Sequence, residues 1–268
     1  PRRPVVFVPV YFGYERIFEG PSYIGELSGK PKEKETLWGF LTSVRQFFRE
    51  RFGRVHVNFG EPVYLSPLLD QAAPDWRQAP PGDGERPRWV ARLVQDLAEQ
   101  IQRNINAAAA VTPVNLLALA LLATPRQVML VSDLERHIGL LLALLRALPY
   151  HPRVTLTDMT PEQIIAYGES LKIISLEQHR SGRFARMSAD SAVLSAYYRN
   201  NVLHLVSLPS MIACCFIGNP RMATGDIERL ASRIYPYIAA EFCLRWHEDE
   251  VGALVRQTLA AMAQLGLL

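Results

Sequence analysis

Arg3-Pro-Val-Val-Phe-Val-Pro-Val-Tyr-Phe-Gly-Tyr-Glu-Arg16 is the stretch that decides the fold. Val5, Val6, Phe7, Val8 and Val10 form a short, β-branched apolar run, the composition of a strand covered on both faces. Pro9 offers no donor to a ladder, so this strand is expected to lie at an edge, to bulge or to end there. Tyr11, Tyr14 and Glu15 then place polar groups just past its carboxyl end. In open α/β sheets ligands bind at that level, which makes the three side chains candidate contacts. Ordinary packing at a strand mouth is the competing reading.

Working outward, the α/β pattern continues to about residue 70. Leu37, Phe40, Leu41, Val44, Phe47 and Phe48 recur at helical spacing and predict a helix over 36–52, with Thr36 as its cap. Val55, Val57 and Phe59 alternate with Arg54, His56 and Asn58, the period of a strand with one polar face. On that reading His56 is a surface or sheet-face residue and not a ligand. Residues 71–88 crowd Pro74, Pro80, Pro81, Gly82, Gly84 and Pro87 into a linker, pinned by burial of the Trp76 indole.

Residues 89–268 read as mostly helical. Leu93, Val94, Leu97, Ile101 and Ile105 hold one helix face up to about 109, and Pro113 opens the next helix. Ser132 with Glu135, and Thr160 with Gln163, are capping-box signatures that open two more. Two short apolar runs, 172–177 and 183–187, flank Arg180-Ser-Gly-Arg183 and predict a hairpin. Helices are expected over 190–205, 209–217, 226–246 and 248–265, with Pro236 kinking the third. The fold class is thus an α/β portion over 1–70, a Pro/Gly linker, and a mostly α-helical domain over 89–268 with a small β-hairpin. Three helices followed by a hairpin carrying Arg180, Arg183 and Arg186 are winged-helix-like in outline.

The 29 basic and 26 acidic side chains leave a net charge of +3 without a dense basic block. That balance does not call for nucleic acid, and it suits phosphate-bearing substrates or anionic lipid. Three cysteines form no CxxC pair, consistent with a reducing compartment. No apolar run reaches the roughly 18 residues of a spanning helix, so any membrane contact is expected to be peripheral. Metal-ligand spacings, nucleophile elbows, P-loops and dinucleotide fingerprints do not occur.

Four segments carry a resemblance. Val5 to Val10, with its internal Val-Pro-Val, resembles the fourth sequence block of the glycerolipid acyltransferases. Gly29-Lys-Pro-Lys-Glu-Lys-Glu-Thr-Leu-Trp38 resembles the stretch that follows this block in the membrane-associated glycerol-3-phosphate acyltransferases of bacteria and mitochondria. Val55-His-Val-Asn-Phe-Gly-Glu-Pro-Val63 is similar to the strand and turn that close that domain, and Ser195 to His204 resembles part of the family's helical region. The family's His-x-x-x-x-Asp and its Glu-Gly-x-Arg-Ser block are missing. The chain, which opens on Pro1, is therefore read as a C-terminal portion beginning just after the catalytic blocks and inactive alone.

What the resemblance implies is acyl transfer from acyl-CoA or acyl carrier protein to the 1-hydroxyl of glycerol 3-phosphate, giving lysophosphatidic acid for phospholipid biosynthesis. The acyl donor is a cosubstrate; no bound cofactor or metal is implied. The setting is the cytoplasmic face of the bacterial inner membrane, with peripheral lipid contact and a homodimer among the roles open to the helical region. Pro9 is carried over as the fourth-block residue of the catalytic domain. Lys30, Lys32 and Glu35 fall on the Lys-rich stretch as candidate substrate-phosphate contacts, joining Tyr11, Tyr14 and Glu15. Because Glu33 and Glu35 interleave with the lysines, a solvated charge run stands beside that role. The alternative function is a non-catalytic helical module binding a protein, membrane or DNA. Against DNA, residues 162–172 carry two acids and one lysine where a recognition helix needs cations.

Overall fold

The computed structural model describes residues 4–17, 51–78 and 87–268. The helix expected over 36–52 lies outside them. The opening run forms two short strands, β1 (Val6–Phe7) and β2 (Val10–Tyr14), with Pro9 in the gap between them. Their antiparallel partners are β4 (Val63–Tyr64) and β3 (Val55–Phe59) respectively. Gly60, Glu61 and Pro62 interrupt the second strand at the same level, and the Gly60 amide donates to the Pro9 carbonyl at 2.8 Å. The proline without a donor therefore sits where the ladder is already broken, as its chemistry requires.

The expectation of a strand buried on both faces is overturned. Val6, Val8, Phe12 and Tyr14 are all exposed, as are Val55, Val57, Phe59 and Tyr64. Across β2 and β3 the register sets Val10 opposite Phe59, Phe12 opposite Val57 and Tyr14 opposite Val55, a continuous apolar face. The polar set, Tyr11, Glu15, His56 and Asn58, faces the rest of the molecule instead. There the helical region offers those groups hydrogen-bond partners, so buried polar atoms are satisfied on the inner side.

Short helix α1 (Leu65–Ala72) follows β4 and was not legible in the sequence. Trp76 is held by its Nε1, which donates to Asp70 at 2.8 Å, and by the Arg77 guanidinium 4.6 Å over the ring, instead of by burial. Helix α2 (Arg88–Asn106) ends three residues earlier than its periodicity suggests. Residues 107–109 are buried and lead into β5 (Ala110–Val111). Helix α3 (Pro113–Leu121) is apolar on all sides and almost wholly buried, the pattern of a helix at the centre of a domain.

Around α3 pack α4 (Val131–Ala147), α5 (Pro161–Ser170) and α6 (Ala189–Asn200). Helix α4 starts one residue before Ser132, straight out of β6 (Val128–Leu130), so Ser132 does not cap it. The Thr160–Gln163 capping box of α5 forms as expected. The hairpin is β8 (Ser175–His179) and β9 (Gly182–Arg186), and β6 joins it as a third strand in the order β6–β9–β8. Strand β7 (Thr155–Leu156) lies parallel to β5.

The segment expected as one helix to 205 breaks at Asn201 and Val202, and α7 (Leu203–Cys214) runs through Pro209 instead of starting there. Its residues 204–209 are buried, so this apolar run is core. Helices α8 (Thr224–Phe242), which contains Pro236, and α9 (Val251–Gln264) complete the body. Among the described residues no helix is long and apolar enough to cross a membrane.

Candidate functional site

Of the seven positions marked out by the sequence, four lie among the described residues, at the Pro9–Glu15 end of the ribbon. Lys30, Lys32 and Glu35 lie outside them. Pro9 is buried and fixed by the Gly60 amide. Tyr14 is 41% exposed on the outer, apolar face. Tyr11 and Glu15 point the other way and are enclosed.

Tyr11 donates its hydroxyl to the Ala110 carbonyl at 3.3 Å, tying β2 to the start of β5. Burial pushes its phenol up to about 12, with Tyr197 adding to the shift, so it remains a neutral donor. Asn58, next along the inner face, donates to the Ala108 carbonyl at 2.9 Å and to Thr155 Oγ1 at 3.1 Å. Asn104 on α2 reaches back to the Glu61 carbonyl at 2.8 Å.

Glu15 is the most confined acid among the described residues, only 1% exposed. One carboxylate oxygen, Oε2, accepts from the Tyr167 hydroxyl at 2.5 Å and from the Arg54 amide at 2.6 Å. The other, Oε1, lies 3.5 Å from His56 Nε2. Desolvation and then the Glu15 contact hold the Tyr167 phenol well above its ordinary range, so it stays protonated and donates. Two residues on, the Ile17 amide donates to the Tyr198 hydroxyl at 3.0 Å. Short charge-assisted bonds of this kind are about twice as strong as neutral ones, and their geometry is narrow. In this structure Tyr11 and Glu15 therefore serve as anchors between ribbon and helices, and neither is open to a substrate. His56 is a sheet-face residue, partly exposed and turned toward Glu15.

Gly53 makes the anchor possible. It sits at φ +73°, and a Cβ there would stand 2.6 Å from Glu15 Oε2 and 2.8 Å from Glu15 Cβ. Gly53→Ala combines the cost of a left-handed alanine with displacement of the carboxylate. It is expected to destabilise by about 2 kcal/mol. A melting temperature within a degree of wild type would show that the loop yields without cost.

Tyr167 and Asn58 were missed by sequence reasoning. The alternation in residues 54–59 marks two faces but not which one turns inward, and nothing local links Tyr167 to an acid far upstream. A second polar cluster lies deeper in the helical body. His204 on α7 is buried, its Nε2 donates to the Asn106 carbonyl at 3.1 Å, and its ring meets Tyr150 edge-on at 5.1 Å. This is a satisfied interior network. No cluster of three or more metal-ligating side chains forms among the described residues.

Comparison with known proteins bears on the whole chain. The family model described as the glycerol-3-phosphate acyltransferase C-terminal region matches residues 23–268. A glycerol-3-phosphate acyltransferase of Xanthomonas campestris pv. campestris is 46% identical over 268 residues, all of this chain and 30% of that protein. Proteins of the same name from Xylella fastidiosa strain M12 and Pseudomonas aeruginosa strain UCBPP-PA14 are 44% and 45% identical, with 31% and 32% of their lengths covered. The chain thus spans about a third of the length of these relatives.

Proposed function

This chain belongs to the glycerol-3-phosphate acyltransferase C-terminal region family, and on that premise we propose that it is part of an enzyme acylating the 1-hydroxyl of glycerol 3-phosphate. The donor is an acyl thioester of coenzyme A or acyl carrier protein, and the product is lysophosphatidate. The alcohol must lose its proton as it attacks, which requires a base such as the histidine of the family's His-x-x-x-x-Asp. This chain contributes the Pro9 strand, which shapes the wall beside that base, and the helical body that carries the strand. Lipid contact is peripheral, at the cytoplasmic face of the inner membrane.

The observation that carries this reading, beyond the family match, is the outer face of the ribbon. Phe12, Tyr14, Val55, Val57 and Phe59 are exposed together. A two-stranded ribbon with one apolar face in water is marginal by itself. The acyltransferase reading supplies the cover: the larger part of the relatives' length, packing on this face to complete an α/β domain. The measurement is release of coenzyme A from palmitoyl-CoA that depends on glycerol 3-phosphate. The expected result is no turnover by this segment and clear turnover by the longest natural polypeptide containing it. Inactivity of the longer form would overturn the proposal.

One observation favours a DNA-binding reading, the order α4, α5, β8, β9 with β6 joining the hairpin, which has a winged-helix outline. The helix in the recognition position counts against it. On α5, Glu162 and Glu169 are exposed while Tyr167 is engaged by Glu15. In the hairpin, Arg186 is paired with Glu177 at 3.0 Å. Retention of the protein on heparin at moderate salt would revive the alternative.

A further inference from the structure

We infer that Glu15 and Tyr167 are positioning residues of the acyl-transfer site, a pair through which the helical body sets the placement of the Pro9 strand. The inference rests on the acyltransferase reading above.

The geometry is specific. Strand β2 leaves Pro9 in one direction and delivers Glu15 at its other end, so a displacement at Glu15 passes along five paired residues to Pro9. On the ribbon side Glu15 is doubly tied to Arg54, since its carboxylate accepts the Arg54 amide at 2.6 Å and its own amide donates to the Arg54 carbonyl at 3.2 Å. On the body side the tie is Tyr167, in the middle of α5, at 2.5 Å. Helix α5 packs on the central helix α3, with Gly168 set so close that a Cβ there would fall 2.3 Å from Leu117 Cδ1. Tyr167 is thus mounted on an element with no room to slide. Beyond Glu15 the Ile17 amide meets Tyr198 on α6, a second fixed point on the same body.

A carboxylate buried to this degree, held by the Tyr167 hydroxyl and the Arg54 amide and touching almost no solvent, is costly to place. A neutral hydrogen bond would be enough to attach the ribbon to the body. Placement of an oxygen within a few tenths of an ångström is what short, charge-assisted bonds provide in addition. Catalysis is sensitive on that scale: misplacement by about 1 Å can cost on the order of a hundredfold in rate. A contact that orients the reacting groups without binding either substrate lowers kcat when lost and leaves KM nearly unchanged.

The test uses the longest natural polypeptide containing this chain, at a temperature where circular dichroism shows each variant folded. Tyr167→Phe removes only the hydroxyl, and Glu15→Gln removes the charge while keeping the reach. Each is expected to lower kcat about five- to tenfold, with KM for glycerol 3-phosphate and palmitoyl-CoA within about twofold of wild type. The double variant should fall no further than the worse single one, because both break the same tie. Should Glu15→Gln fail to fold, Tyr167→Phe carries the test alone. An active wild type with Tyr167→Phe at undiminished kcat, whatever its melting temperature, overturns this inference and spares the acyltransferase reading. An inactive wild type overturns both.

Discussion

Asn115→Ala is expected to lower the unfolding free energy by about 3 kcal/mol, because it removes the returning half of a capping box and a buried tie to Tyr198. Asn115 is 3% exposed in the first turn of α3, the central helix. Its Oδ1 accepts from the Thr112 amide and the Thr112 hydroxyl, both at 2.7 Å, and its Nδ2 donates to the Tyr198 carbonyl at 2.7 Å. Alanine strands the Thr112 donor and the Tyr198 acceptor in a dry core. Asn115→Asp gives a sharper comparison. An acid at this helix position is ordinarily favourable, but here it faces the Tyr198 carbonyl without a proton to donate. It should be at least as damaging as alanine. Urea titration followed by circular dichroism measures both, and a loss below about 1 kcal/mol for either would mean that water or a shifted backbone replaces these bonds.

The second large effect is a dependence on pH set by His204. Burial pushes its imidazole from 6.5 down to about 4, against a smaller opposing pull from the Asn106 carbonyl. The folded protein therefore keeps the ring neutral where the unfolded chain has already taken up a proton. Stability from this group is fully present above about pH 6.5 and is lost as pH falls toward 4, a total of about 3 kcal/mol. His204→Gln keeps a donor for Asn106 and cannot titrate. Between pH 6.5 and 4 its stability should decline less than that of wild type by about that amount. Parallel profiles would show that His204 takes up its proton in the folded state without penalty.

Local chemistry made much of this chain legible. The Thr160–Gln163 box, the helix opening at Pro113, the strand of residues 55–59 and the hairpin around Arg180-Ser-Gly-Arg183 each depend on residues close in sequence. Caps, turn glycines and periodicity act over a few residues, so they appear wherever those residues do. Pro9 belongs here too, since a missing donor breaks a ladder in any surroundings. The family resemblance was likewise carried by short segments, 5–10, 29–38 and 55–63.

The tertiary structure decided the rest. A period of two separates Val55, Val57 and Phe59 from His56 and Asn58, but is silent on which set turns inward. Partners far away in sequence, Ala108, Thr155 and Tyr167, made the polar face the inner one. Helicity beyond residue 106 yielded to the pairing of β5 with β7, a contact invisible until both meet over the core. Glu15 reads in sequence as an acid at a strand mouth, open to a ligand. Enclosed by Tyr167, Arg54 and His56, it is an anchor. Periodicity sorts residues into faces; burial energies and the supply of hydrogen-bond partners, both properties of the assembled chain, choose among them.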